Sequence, residues 1–384
     1  MATGFNAKIH EVFYTTASGN IGDIVSDSTL NAATWKQIIT NSDTSNNLAE
    51  DREPLTSEQF SEEILSPYSQ PGLFDYSGSL NFTHYSGFGT EHEDLLESAL
   101  GTLVDSSAVS AAVISAVTND YTFTCATAAA LPVGAIVEIN GELAVIKSND
   151  AGDIVLYTSI KGLSTSMTLT GRKCFNPKVL GDNNYYHFLF ITSIGSFVAT
   201  WVKPALKLTT EMNSLRNWEL ALMGDQLTMS AVTKATISSG GGSITASSQK
   251  VGVFPNWKRT FLNTNAIGCA LAKCDFVLDR TQTKKPQACT ETSNGFGGVD
   301  QDEVILTSEI HFNVALPTAI KNAYNAATKI FVFAFSKDAK LAIFADGAGI
   351  TRINASAIAE GQYRPLANLD LKEKEGGIIR ILVD

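Results

Sequence analysis

Five histidines, His10, His84, His92, His187 and His311, are the side chains of this 384-residue chain best suited to proton transfer or metal binding near neutral pH. They are scattered, and only His92 stands among carboxylates, in Glu91-His92-Glu93-Asp94. A zinc peptidase needs a second histidine one helical turn on, where this chain has Leu96. The acidic quartet reads instead as an exposed first helical turn, where negative charge meets the positive end of the helix dipole. His84 and His311 read as strand-surface residues. Five cysteines (Cys125, Cys174, Cys269, Cys274, Cys289) show no C-x-x-C spacing, so neither a disulfide framework nor a thiolate metal site is expected. Nucleophile-elbow, P-loop and dinucleotide-binding glycine motifs are absent. FADGAGI (Phe344 to Ile350) and NDAGD (Asn149 to Asp153) lack the EF-hand ligand series and read as Asp/Gly turns. No catalytic residue, cofactor or metal is expected, and the chain reads as not an enzyme.

The densest charge lies in residues 50–63, where Glu50, Asp51, Glu53, Glu58, Glu62 and Glu63 face a single Arg52, a local balance of -5. This segment reads as an acidic flexible loop. Phe60, Ile64 and Leu65 would let it become ordered on a partner, and its charge would repel passing phosphates if it faced a neighbouring subunit or a channel. The whole chain carries 28 Lys+Arg against 39 Asp+Glu, a net -11, which opposes tight nucleic-acid binding. No export signal or membrane span is visible, and the cytoplasm fits as the folding compartment.

The elements around these residues are mostly strands. A composition of 44% hydrophobic and 17% charged residues, with 29 glycines, supports a folded core and a mainly β or α+β class. An internal repeat organises the chain. In its first copy Tyr76, Gly78, Leu80 and Phe82 alternate with polar residues, then a helix opens with a Thr90/Glu93 capping box and closes at Gly101. In the second, Leu306, Ser308, Ile310, Phe312 and Val314 alternate before a helix around Thr318 to Ala327. Leu80 and Phe82 correspond to Ile310 and Phe312, while Leu95, Leu96, Ala99 and Leu100 correspond to Ala319, Ile320, Ala323 and Tyr324. Each copy is expected to end in a hairpin, Trp218-Leu220-Leu222 turning at Gly224-Asp225 into Leu227 and Met229, and Leu369-Leu371 turning near Gly376-Gly377 into Ile379 and Ile381.

Residues 106–175 interrupt the repeat and read as a small inserted β module, with Asn140-Gly141 as a hairpin turn. The run SSGGGS at 238–243 reads as a flexible linker. The expected organisation is therefore a first domain over 1–105 and 176–237, the module over 106–175, and a second domain over 244–384.

Four stretches together, Ser57-Glu58, Ser61-Glu62-Glu63-Ile64, Gly78-Ser79-Leu80-Asn81-Phe82 and Asp94-Leu95-Leu96-Glu97-Ser98-Ala99-Leu100, resemble the major tail tube proteins of long-tailed bacteriophages. The resemblance lies in the arrangement and covers nearly the whole chain; 250–303 has no clear counterpart. It implies two tandem tail-tube β-sandwich or barrel-like domains, each with a flanking short helix. It further implies homotrimeric rings of pseudo-sixfold symmetry, with hexameric rings as the other option, stacked into a tube that conducts viral DNA into the host. Glu50, Asp51, Glu53, Glu58, Glu62 and Glu63 would then make inter-ring or lumen contacts, and the module would lie on the outside. The implied partners are further copies of the chain, a tape-measure protein, a baseplate hub and a tail terminator; the implied location is the virion tail, assembled in the host cytoplasm. Rival readings are a baseplate-hub or tail-completion protein, and a carbohydrate-binding β-domain using Trp35, Trp201, Trp218 and Trp257 as stacking platforms.

Overall fold

Alternation of apolar and polar residues at period two drives most of the chain into strands, and the structure is mainly β. It is a computed structural model that describes residues 9–40, 47–57, 68–82, 89–177, 184–210, 217–249, 257–263, 265–266, 271–286, 296–313, 315–336, 340–354, 358–359, 362–363, 366–370 and 378–383. In chain order, the first unit opens with β1 (Ile9–Thr16), α1 (Asp27–Asn31), β2 (Thr34–Ile38), β3 (Asn47–Ser57), β4 (Tyr68–Asn81), α2 (Glu93–Leu100) and β5 (Thr102–Asp105). The module follows as β6 (Ala112–Val113), β7 (Ala116–Asn119), β8 (Thr122–Thr124), β9 (Ile136–Ile139), β10 (Glu142–Asp150), β11 (Asp153–Leu156) and β12 (Thr168–Gly171). The chain returns through β13 (Lys173–Asn176), β14 (Tyr186–Thr192), β15 (Gly195–Thr210), β16 (Asn217–Gly224), β17 (Leu227–Ser230), α3 (Lys234–Ser239) and β18 (Ser243–Thr245). The second unit comprises β19 (Trp257–Leu262), β20 (Asn265–Ala266), β21 (Leu271–Pro286), β22 (Phe296–Phe312), α4 (Thr318–Asn325), β23 (Ile330–Ser336), β24 (Leu341–Asn354), β25 (Ile358–Ala359), β26 (Gln362–Tyr363), β27 (Leu366–Asp370) and β28 (Ile379–Val383).

One antiparallel sheet runs through both units in the order β3-β4-β16-β15-β21-β22-β27-β24. Its two four-stranded halves match position by position. Leu80, Leu220 and Leu206 pair across the first, and Ile310, Ala367 and Ile353 pair at the corresponding places in the second. One irregularity repeats as well: the register shifts between Arg52 and Pro54 in β3 and between Arg280 and Gln282 in β21, positions 228 residues apart. The halves join where Leu208, Thr209 and Thr210 of β15 pair with Leu278, Val277 and Phe276 of β21.

Each unit also has a sheet of its own: β18-β2-β1-β14-β15-β17 in the first, and β20-β19-β23-β24-β28-β13-β5 in the second. The long strands β15 and β24 cross from the unit sheets into the shared sheet. This explains a departure from expectation. β16 and β17 form no hairpin; both run along β15, Trp218 opposite Leu208 and Leu227 opposite Ala199, and β27 and β28 run along β24 in the same way. A strand long enough to serve two sheets offers an edge in each, and one continuing segment fills both. The main core lies between the layers, around Tyr14, Leu80, Leu95, Trp218, Phe276, Ile310 and Ile343.

The module folds as expected around its Asn140-Gly141 turn, with positive φ at both residues, and has its own core including Phe123, Ile139, Ile146 and Leu156. Its stem, β5 and β13, extends the second unit's sheet through Phe175 opposite Ile381. Ile136, Leu143, Val145 and Tyr157 cover the outer face of that sheet at Phe261, Phe333, Phe335 and Phe344. In the first unit the matching positions Phe13, Leu189 and Val198 are covered by Leu30 of α1 and Ile237 of α3. Equivalent apolar faces thus receive different covers, and each buried aromatic side chain contributes about 1.5–3 kcal/mol.

The run 238–243, read as a flexible linker, is folded. Thr233 and Thr236 form a capping box for α3, the helix ends at Gly240, and β18 pairs parallel with β2. Residues to Gln249 remain with the first unit, where the Gln249 side chain accepts a bond from the Ile39 N–H. The Thr90/Glu93 capping box is not formed: a 3-10 turn at Thr90–His92 precedes α2 without a side-chain cap, and Glu93 binds Lys173 instead. Gly101 does end α2, with a φ of 134°. Among the described residues, no helix is long and apolar enough to cross a membrane.

Candidate assembly interface

The junction between the two units shows what this fold uses to join one four-stranded half to the next. Beyond the shared sheet, β21 and β22 continue as an arm that lies across α2 and β15 of the first unit. Arg280, buried in the arm, donates to the carbonyls of Leu100 at 3.3 Å and Pro177 at 2.5 Å. Burial lowers its pKa to about 10, leaving it charged at neutral pH. Its neighbours cap backbone that no strand covers: Gln301 donates to Pro204 O (2.7 Å) and Ser98 O (3.3 Å), and Gln282 donates to Lys203 O (2.8 Å). At the tip, Phe296 and Val299 pack with Trp201, the Val299 N–H meets the Tyr185 hydroxyl at 2.9 Å, and Lys284 lies 5.3 Å over the Phe296 ring. The bonds from Arg280, Gln282 and Gln301 each give a carbonyl a donor, and a buried carbonyl left without one costs about 1–3 kcal/mol.

The outer ends of the shared sheet repeat the two surfaces of this junction without joining them. Among the described residues β3 pairs with β4 alone, and beyond the sheet the two continue as a second arm. At the other end, β24 and α4 take the places of β15 and α2. Ser98 and Leu100, covered by the arm, are each 1% exposed; their counterparts are the exposed Asn322 and Tyr324, the latter 42% exposed. Lys203, Pro204 and Ala205 are buried, whereas at the matching register of β24 Gly349 and Ile350 are half-buried and Arg352 is exposed.

The start of α2 is held by a polar network. His92 is fully buried, correcting the expectation of an exposed acidic turn. Its Nδ1 lies 3.0 Å from the Tyr14 hydroxyl and its Nε2 3.2 Å from Ser247 Oγ, and Tyr14 donates to Asp94 at 3.1 Å. Lys36 pairs with Asp94 at 2.7 Å, and Glu91 accepts from the backbone and side chain of Ser248. Burial lowers the His92 pKa to about 4 despite the opposing pull of Glu91 and Asp94. This ring is a structural joint with no open face toward a substrate. His311, expected on a strand surface, is buried too, 2.6 Å from Glu309; His84 lies outside the described residues.

Of the acidic residues singled out from the sequence, Glu50, Asp51 and Glu53 stand in β3 and not in a loop, Glu50 opposite Tyr76 and Asp51 opposite Asp75. Glu58, Glu62 and Glu63 lie outside the described residues. A second acidic set escaped sequence reading: Glu219, Asp275, Asp279 and Glu309, with Lys207 and Arg352, alternate with the core residues and so share the polar face of the shared sheet. The signal was present, since Glu219 sits between Trp218 and Leu220. Trp35, Trp201 and Trp218 are buried, which removes them as stacking platforms for a carbohydrate; Trp257 is half-buried and donates to Cys274 O at 3.0 Å. Among the described residues no cluster of His, Cys, Asp and Glu could hold a metal ion, and Cys125, Cys174 and Cys274 are buried free thiols. No protein-family model matches the chain, and no curated protein matches it significantly.

Proposed function

We propose that this protein is a structural subunit that joins further copies of itself, sheet edge to sheet edge, into a ring, and that the rings stack into the tube of a long-tailed bacteriophage. The observation that carries the reading is the shared sheet. Two equivalent halves are already bonded through β15 and β21, and the strands equivalent to these two, β24 and β3, stand at the two ends of the sheet. A head-to-tail contact of this kind closes into a ring when its rotation divides the circle. Because each chain supplies two halves, three chains would build a ring of six. The mixed but mainly acidic polar face, with the net charge of -11, suits a wall past which DNA moves without sticking. No bond is made or broken in this role.

The test is electron microscopy of the purified chain over a concentration series, with light scattering. Rings or hollow filaments of one diameter are the expected result. A monomer at every concentration would overturn the proposal.

A further inference from the structure

The covered α2 and the uncovered α4 identify a specific contact between copies. We propose that the outer face of α4 at Asn322 and Tyr324, with the half-buried Gly349–Ile350 stretch of β24, receives the β3–β4 arm of a second copy of this chain. This rests on the ring reading and names the surfaces by which one copy holds the next.

Three observations support it. First, the same contact exists once within the chain, where the β21–β22 arm lies across α2 and β15, so its occupant is known. Second, Arg52 holds in β3 the register position of Arg280 in β21: Arg52 pairs with Phe74 and Arg280 with Val304, each followed by the same shift of register. Third, neither α2 nor α4 has a basic residue in its last turn. The carbonyl end of each helix carries partial negative charge and favours a cation. For α2 that cation is Arg280, from another part of the chain.

The two arms also differ in a way that fits one permanent and one reversible contact. Gln282 and Gln301, which face each other and donate to Lys203 O and Pro204 O, are replaced at the matching positions by Pro54 and Pro71, also paired with each other. Proline has no donor to offer, and on an edge strand it also discourages indiscriminate strand addition. The contact between copies would therefore keep the arginine and lose the two amide donors.

The full chain carrying Tyr324→benzoylphenylalanine would be assembled as an equal mixture of heavy-isotope and ordinary copies, irradiated and mapped by mass spectrometry. The expected product links position 324 of one copy to residues 47–57 or 68–81 of another. Assemblies whose cross-links from 324 miss that arm would overturn the docking but leave the ring reading standing. Absence of assembly by the unsubstituted chain at any concentration would overturn both. As a second measurement, Tyr324→Glu and Arg52→Ala should each raise the concentration for half-assembly about tenfold, with the monomer's melting temperature unchanged. Unaltered assembly of both variants would also overturn the proposal.

Discussion

Helices α2 and α4 occupy corresponding places in the two units, yet one is enclosed and the other bare on its outer side. Leu95, Leu96, Ser98, Ala99 and Leu100 are all buried, while α4 buries only Ile320 and Ala323. Their own sequences do not account for this, because both helices turn an apolar stripe to the core. The difference comes from what lies on top: α2 carries the arm of the second unit, and α4 ends the chain's run of equivalent halves. Exposure at α4 therefore reflects the lack of an arm over it among the described residues.

Truncation should separate the two helices most sharply. Leu100→Ala is expected to cost about 2–5 kcal/mol in chemical denaturation, and Tyr324→Ala less than about 0.5 kcal/mol in the monomer; similar losses would erase the contrast. Arg280→Ala should cost about 3 kcal/mol by leaving the Leu100 and Pro177 carbonyls buried without a donor, against a near-neutral Arg352→Ala.

Acid should weaken the first unit in particular. His92 and His187 are held neutral by burial down to about pH 4, below their usual 6.5. The unfolded chain binds these protons first, so stability is flat above 6.5 and falls as pH drops toward 4, by about 2 kcal/mol per histidine at pH 5. His92→Gln should shallow that slope in a pH series of denaturation midpoints. The smallest effect is expected on the polar face of the shared sheet. Glu219→Gln with Asp279→Asn should leave stability within about 0.5 kcal/mol, while retention of duplex DNA by assembled particles on a filter rises.

Strands written in period two were legible before any fold was known: Leu80 and Phe82, Ile310 and Phe312, and the turn at Asn140-Gly141 stand where their spacing puts them. Pairing partners were less legible, because alternation says which face a residue takes and nothing about which edge it meets; hence β16 and β17 looked like a hairpin. The burial of His92 depends on Ser247, brought across from 155 residues away, and a charge-rich local sequence carries no trace of that. Glycine-rich 238–243 looked loose because glycine permits flexibility without requiring it, and here the segment is held by α3 and β18. The acidic segment misled in the opposite sense, since charge on an edge strand guards that edge as readily as it solvates a loop.

The pairing of β15 with β21 has a kinetic corollary. Covalent connection holds these two edges at an effective concentration in the millimolar range, so this join forms whenever the chain folds, even in dilute solution. In the proposed assembly, the corresponding meeting of separate molecules would have to wait for collision and be governed by supply. Under that proposal the molecule would carry a finished sample of its own lattice while still depending on abundance, or on a nucleating surface, to begin growing.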